Sequence, residues 1–251
     1  MNFSVRIALT PSPEQHARLM ALQSAFAQVC NALAPMVQQT RVWNRVALHH
    51  MAYKGLRERF PALGSQMVCN AIYSVSRASR LIFQTPGSPF HLSRLAGKPL
   101  PLLRFTDTCP VYFDRHTLSL KQGQVSMFTL DGRMKFQLAL GAEQETAFHT
   151  RKLQEIVLQR AGSQFELAFL FGAEGVAQPE PQPAALASPP ASLELPSASA
   201  GSPPGPAAAD AATAITESDD DALVAPWPGA LPGPRGASLI FPEYLKVEDH
   251  P

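Results

Sequence analysis

Acidic residues are scarce in the first two thirds of this chain, and several familiar signals are missing from it altogether. Up to Gly172 there are 19 Lys and Arg against 9 Asp and Glu, a net charge of +10. No run of about 18 or more apolar residues occurs, so no membrane span is predicted and no membrane partner expected. Met1-Asn2-Phe3-Ser4-Val5-Arg6 lacks the cationic start, apolar stretch and cleavage site of a signal peptide. Cysteine is limited to Cys30, Cys69 and Cys109, about 40 residues apart, with no CxxC pair and no zinc ribbon. Three reduced thiols in a cytoplasmic protein are the expectation. The seven histidines form no HExxH, and His49-His50 is an adjacent pair whose side chains diverge on a helix. No metal site and no cofactor is expected. A Gly-rich phosphate loop, a GxSxG turn and a Cys-His pair with a supporting carboxylate are all absent, which argues against an enzyme.

What is present divides sharply. From Ala173 to Pro251 there are 2 Lys and Arg against 11 Asp and Glu, a net of −9, with 15 prolines, so the overall +1 averages two opposite halves. The front half is long enough for a packed core of roughly 170 residues. The region 173–236, Pro/Ala-rich with an acidic Ser218-Asp219-Asp220-Asp221, cannot bury enough apolar surface to offset its ordering entropy and is predicted to be a disordered tail. Residues 237–251 turn apolar again at Leu239-Ile240-Phe241-Pro242-Glu243-Tyr244-Leu245. They read as a short interaction segment for a partner or for the module's own surface, or else as a frayed end. A basic module beside an acidic tail points to a polyanionic partner, nucleic acid first.

The fold class read from the pattern is α+β. Phe3 to Leu9 alternates as a strand. Ser12-Pro13-Glu14-Gln15 then carries an N-cap, a proline suited to the first helical position and a capping-box glutamine. The helix shows Leu19, Leu22, Phe26, Val29 and Leu33 on one stripe, with Pro35 expected to close or kink it. Further helices are expected over Val42–Phe60 and Ser65–Phe83. After a loop from Thr85 to Pro101 come short strands at Leu102–Phe105, Val111–Phe113, Thr117–Lys121, Val125–Leu130 and Met134–Leu140. Asp131-Gly132 is a strong hairpin turn between the last two, and Gln122-Gly123 a weaker one. A short helix at Glu143–Thr150 and a hairpin of Leu153–Gln159 with Phe165–Phe171 around Ala161-Gly162-Ser163 complete the order. These elements predict a small antiparallel β-barrel, residues 1–10 and 100–172, with a three-helix insertion, residues 11–99, after the first strand.

The third helix has the sharpest periodicity. Val68, Ala71, Ile72, Val75, Ala78 and Ile82 share one face; Gln66, Asn70, Tyr73, Arg77 and Arg80 share the opposite one, with no acid among them. Two amides, a phenol and two guanidiniums suit phosphates, sugars and base edges. A solvated face that happens to lack glutamate explains the same stripe, and Arg77 and Arg80 are also open to pairing with Glu58 across a helix contact. Trp43 and Tyr73 are candidates for stacking on bases, with core packing the plainer role for Trp43.

Phe3-Ser4-Val5-Arg6-Ile7-Ala8-Leu9-Thr10-Pro11-Ser12-Pro13-Glu14-Gln15 resembles the opening of the TnpB proteins, transposon-encoded RNA-guided nucleases ancestral to type V CRISPR effectors. Cys30-Asn31-Ala32-Leu33 and the Ser65–Phe83 helix, with Ala78 and Phe83, are similar to later parts of that family. So are Leu103-Arg104-Phe105-Thr106 and the hairpins to Phe136, which would be the return into a wedge barrel. The resemblance covers roughly residues 3–172. It implies a wedge domain and a recognition lobe that grip guide RNA and read a DNA motif beside the target. The implied motif-reading positions are Asn44, Arg45, Ser65, Cys69, Asn70, Thr106 and Asp107; Cys69 and Ser65 depart from the glutamine and lysine common there. Phosphate contacts would come from Arg41, Arg45, Lys54, Arg57, Arg59, Arg77 and Arg80. Gln66 and Tyr73 join the binding set through the stripe.

After Gly172, where that family enters its RuvC nuclease, this sequence enters prolines, and Asp219-Asp220-Asp221 has no strand scaffold to hold catalytic metals. The expectation is therefore an RNA-guided binding module that does not cut. Its partners would be guide RNA, target DNA and a separately encoded RuvC nuclease or effector subunit. Two alternatives stand beside it: a guide-free DNA- or RNA-binding regulatory factor autoinhibited by its acidic tail, and a decayed transposase fragment.

Overall fold

The computed structural model describes residues 3–121, 123–172 and 241–248. The chain begins as the capping pattern predicts. Strand β1 (Phe3–Ala8) leads into helix α1 (Pro13–Thr40), whose Ser12 Oγ accepts from Gln15 N at 3.2 Å. The Ser12 N–H donates in return to Gln15 Oε1 at 3.0 Å, closing the capping box. α1 does not stop at Pro35. Leu33, Ala34 and Val37 are buried around it, and this packing carries the helix on to Thr40. There Arg41 adopts φ 57° and its N–H donates to Val37 O at 2.9 Å, a left-handed cap.

Helices α2 (Arg45–Arg59) and α3 (Ser65–Gln84) follow, then a single turn, α4 (Leu92–Leu95), inside the segment expected to be a loop. Next come β2 (Leu102–Phe105), β3 (Val111–Phe113), β4 (Leu118–Lys121), β5 (Gln124–Thr129) and β6 (Gly132–Gln137). Helix α5 (Ala142–Thr150), β7 (Leu153–Ala161), β8 (Gln164–Phe171) and β9 (Leu245–Glu248) complete the order. The described residues are thus a mixed α and β structure with antiparallel sheets.

The strands do not form the expected barrel. Three separate sheets occur among the described residues: β1-β8-β7-β3, β4-β5-β6 and β2-β9. As expected, the first strand joins the late ones, with Phe3 opposite Phe171 and Ala8 opposite Glu166. Closure fails at β3, which is three residues long. Pro110 before it has no N–H to donate, and a tight turn after it has Asp114 Oδ1 accepting from His116 N at 3.0 Å and Thr117 N at 2.9 Å. Among the described residues the β4-β5-β6 meander pairs with no other strand. Its second hairpin has Leu130-Asp131 as the loop, and Gly132 (φ 90°) pairs with Thr129, one position from the Asp-Gly turn expected.

Helices cover what the sheets leave open. The apolar face of α3 is wholly inside, including Val68, Ala71, Ile72, Val75, Ala78 and Ile82. Phe148 of α5 packs edge-on against Phe169 and Phe171 of β8 at 4.9 and 5.1 Å. Along α1, three amides at near-heptad spacing hold the backbone of residues 100–109. Gln23 Nε2 donates to Cys109 O (3.1 Å), Asn31 Nδ2 to Phe105 O (2.8 Å) and Gln38 Nε2 to Leu100 O (2.9 Å). Among the described residues no helix is long and apolar enough to cross a membrane. Residues 173–236, expected to be a disordered tail, lie outside the described residues; of the expected interaction segment 237–251, residues 241–248 are described.

Candidate nucleic-acid interface

The polar stripe of α3 is real, and it faces the sheet. Asn70 is buried and donates to Tyr112 O of β3 at 3.0 Å. Tyr73 Oη donates to Glu155 Oε1 of β7 at 2.9 Å, and Arg77 Nη1 pairs with the same oxygen and reaches Tyr73 Oη at 3.1 Å. Arg77 and Glu155 are each only 11% exposed. A β-bulge between Leu153 and Glu155 resets the strand's alternation beside Glu155. Gln66, on the same stripe, bonds Asp114. The stripe lacks acids because its counter-charges arrive from Asp114 and from Glu155, which stands 78 residues beyond Arg77. The proposed pairing of Arg77 with Glu58 is replaced by this one. Arg80 is half-buried and makes no ion pair among the described residues.

The cluster sets its own electrostatics. Burial opposes the charge on Arg77, but Tyr112, Glu155 and Tyr73 more than offset it, and the guanidinium is held protonated. Burial, reinforced by Glu155, pushes the Tyr73 phenol up. The Tyr112 hydroxyl, fully buried, is pushed up further. Arg77, Tyr73 and Glu155 form a donor–acceptor set, with the Tyr112 ring packed edge-on against Tyr73 at 5.5 Å.

The cations of α2 are placed differently. This helix buries a thin stripe, Leu48, Ala52 and Leu56, at four-residue intervals, and presents the rest of its surface outward. Arg45, Lys54 and Arg59 are exposed and make no ion pair among the described residues. Arg45 rests its guanidinium 5.3 Å from the centre of the Tyr73 ring, and Arg59 lies 5.3 Å over Phe60, so both stems pack while the charges stay outside. Arg57 is partly buried and donates to Leu63 O, bracing the turn into α3. Asn44 is structural too. As the α2 N-cap, its Oδ1 accepts from Val46 N (2.9 Å) and Ala47 N (3.1 Å). His49 stacks on Tyr53 at 4.6 Å. Its pKa is lowered by partial burial, then by His50 and Arg45, as expected inside a positive field.

The flanks extend this surface. Arg41 donates to Gly97 O at 3.5 Å and to Lys98 O, which brings the exposed Lys98 and Arg94 beside the end of α1. Neither was singled out from the sequence, because their Pro/Gly-rich loop has no periodicity. A signal was nevertheless there: Glu14 and Glu58 are the only acids before Asp107. Ser65 is exposed and opens α3 behind a Gly64 N-cap that offers no side-chain acceptor. Cys69 is half-buried on the same side; burial and Asp114 raise its thiol while Arg45 and Arg57 pull it down, with a net rise that keeps it protonated.

Thr106 and Asp107 do not join the set. The Thr106 hydroxyl shares a hydrogen bond with Thr108 at 2.8 Å, and Asp107 accepts from Ser24 Oγ at 3.4 Å, on the α1 side of the β2–β3 turn. No three His, Cys, Asp or Glu side chains converge as metal ligands among the described residues. The expected residues therefore sort into an outward cationic group on α2 with its flanks, and an inward set on α3 that ties helix to sheet. No family model matches the chain, and no curated protein matches it.

Proposed function

We propose that the chain is a nucleic-acid-binding module that grips phosphates along the exposed surface of α2. A guide RNA is its primary ligand, and target DNA is read by pairing with that guide, in keeping with the TnpB-like opening. Cutting is left to a separate RuvC nuclease or effector subunit. One observation carries the reading: Arg45, Lys54 and Arg59 are exposed and make no ion pair among the described residues, on a helix that buries only Leu48, Ala52 and Leu56. Arg45 and Arg59 lie about 21 Å apart along the helix axis at 1.5 Å per residue and about 40° apart around it, with Lys54 on the opposite side of the helix. Lys98, Arg94 and Arg41 continue the positive field, and the lowered pKa of His49 accords with it.

The test is to purify the full chain, sequence the RNA that accompanies it, and titrate binding against salt. The Arg45→Ala/Lys54→Ala/Arg59→Ala variant should keep its urea midpoint and lose about 2 from the slope of log K against log salt on single-stranded RNA. An unchanged slope, or no enriched RNA with no affinity at moderate salt, defeats the proposal.

The guide-free, tail-inhibited reading keeps a foothold in one contact. Residues 241–248 return the end of the acidic stretch to the module, with Glu248 3.1 Å from Arg104. If the tail competes with nucleic acid, Asp219→Asn/Asp220→Asn/Asp221→Asn in the full chain tightens binding and steepens its salt dependence. Unchanged affinity removes this reading.

A further inference from the structure

Strand β2 pairs with a segment from the far end of the chain. Leu102, Leu103, Arg104 and Phe105 lie opposite Glu248, Val247, Lys246 and Leu245, and β9 is the only strand that pairs with β2 among the described residues. The remaining strand pairings all fall within residues 3–171.

The other edge of β2 is already closed. Asn31 Oδ1 accepts from Phe105 N at 2.8 Å while Asn31 Nδ2 donates to Phe105 O at 2.8 Å, so one side chain imitates a neighbouring strand. The Phe105 backbone therefore points toward α1, and β9 bonds its neighbours. The Thr106 N–H donates to Tyr244 O at 2.9 Å, which fits the alternation of an antiparallel ladder.

Side chains seat the segment as well. Tyr244 is 9% exposed and Leu245 4%. Burial, then Tyr112, pushes the Tyr244 hydroxyl far up. Phe241 stacks on Phe90 at 5.9 Å, and Glu248 pairs with Arg104 at the exposed end. A main-chain ladder on an open edge, with pockets for particular side chains, is how extended peptides are recognised by strand addition.

We infer that the open edge of β2, with its Tyr244 and Phe241 seats, is a peptide-binding site whose resident ligand is residues 241–248 of this chain. It reads a segment of the form Phe-Pro-x-Tyr-Leu-x-Val-Glu, in which a turn closed by the Leu245 N–H donating to Pro242 O at 2.9 Å leads into the strand Leu245–Glu248. The ladder gives affinity, Tyr244 and Leu245 are the anchors, and Arg104 selects an acidic residue at the end. Because the segment reaches its seat across residues 173–240, the contact is separable, and the site accepts the same segment supplied in trans once its own copy is weakened. This holds whether or not α2 binds nucleic acid.

The experiment uses the full-length Tyr244→Ala variant and a fluorescent synthetic peptide of residues 238–248, read by anisotropy. The variant should bind the peptide saturably and one to one. Wild type should bind it about tenfold or more weaker, because its tethered segment competes at high effective concentration. A peptide carrying Glu248→Lys should bind the variant more weakly, and Arg104→Glu added to the variant should reverse that preference. A variant with native circular dichroism that ignores the peptide overturns the inference, as does equal binding by wild type and variant. Should Tyr244→Ala fail to fold, Lys246→Pro takes its place, keeping the anchors and removing a ladder donor. If both variants unfold, the segment is an inseparable part of the core and the inference is wrong.

Discussion

Replacing Glu155 with leucine removes the carboxylate that pairs with Arg77 inside the protein. Both side chains are 11% exposed, so water replaces that carboxylate poorly. Tyr73 loses the carboxylate that its hydroxyl now meets at 2.9 Å. Removing one partner of a buried ion pair costs about 3–5 kcal/mol, a large share of the roughly 5–15 kcal/mol that keeps a domain folded. The double variant Arg77→Met/Glu155→Leu removes both charges and should recover most of that loss, because a well-packed apolar replacement is often neutral or better. Urea titration followed by far-UV circular dichroism on the four members of the cycle measures the coupling. Nucleic-acid affinity, measured on the folded proteins, should be the same for Arg77→Met as for wild type. The reasoning fails if Glu155→Leu costs less than about 1 kcal/mol, or if the double variant is no more stable than the single one. It fails differently if Arg77→Met stays folded and loses binding, since Arg77 would then be reaching the ligand.

Two further outcomes are expected. Asn31→Ala strips both hydrogen bonds from Phe105 and leaves a partly buried N–H and C=O unmet, which should lower stability by about 2–4 kcal/mol; a loss below about 1 kcal/mol in the same urea assay would mean that water replaces the amide. His49 gives a pH dependence. Its folded pKa lies below the ordinary 6.5, so the unfolded chain binds the extra proton first as the solution is acidified. Its contribution to stability is whole above about pH 6.5 and is lost as pH falls through the folded value. The urea midpoint of wild type should therefore drop further between pH 7.5 and pH 5.5 than that of His49→Gln, and parallel drops would exclude the effect.

Much of the local structure can be read from neighbouring residues. Ser12, Pro13 and Gln15 specify how α1 starts, since a cap depends only on groups within one turn. The apolar face of α3 follows from 3.6-residue periodicity, and the hairpins around Gly132 and Gly162 from the positive φ that glycine accepts easily. The cationic surface of α2 was equally visible, as a stretch with one acid.

Beyond the hairpins and the return of β1 to the late strands, partnership was not visible. An alternating segment announces a strand without naming its neighbour, and so the eight expected strands, joined by β9, form three sheets among the described residues in place of one barrel. The α3 stripe looked like a surface for phosphates because its acid, Glu155, enters from β7 beside a bulge no local pattern encodes. Asn31 and Tyr244 lie in segments that stand out in the sequence, but their partners do not: Asn31 closes one edge of β2, and Tyr244 is buried at the start of the segment that pairs with the other. Short-range terms act along the chain and can be read there. Buried charge and strand pairing are settled by which distant segments desolvate each other, and only the folded chain decides that.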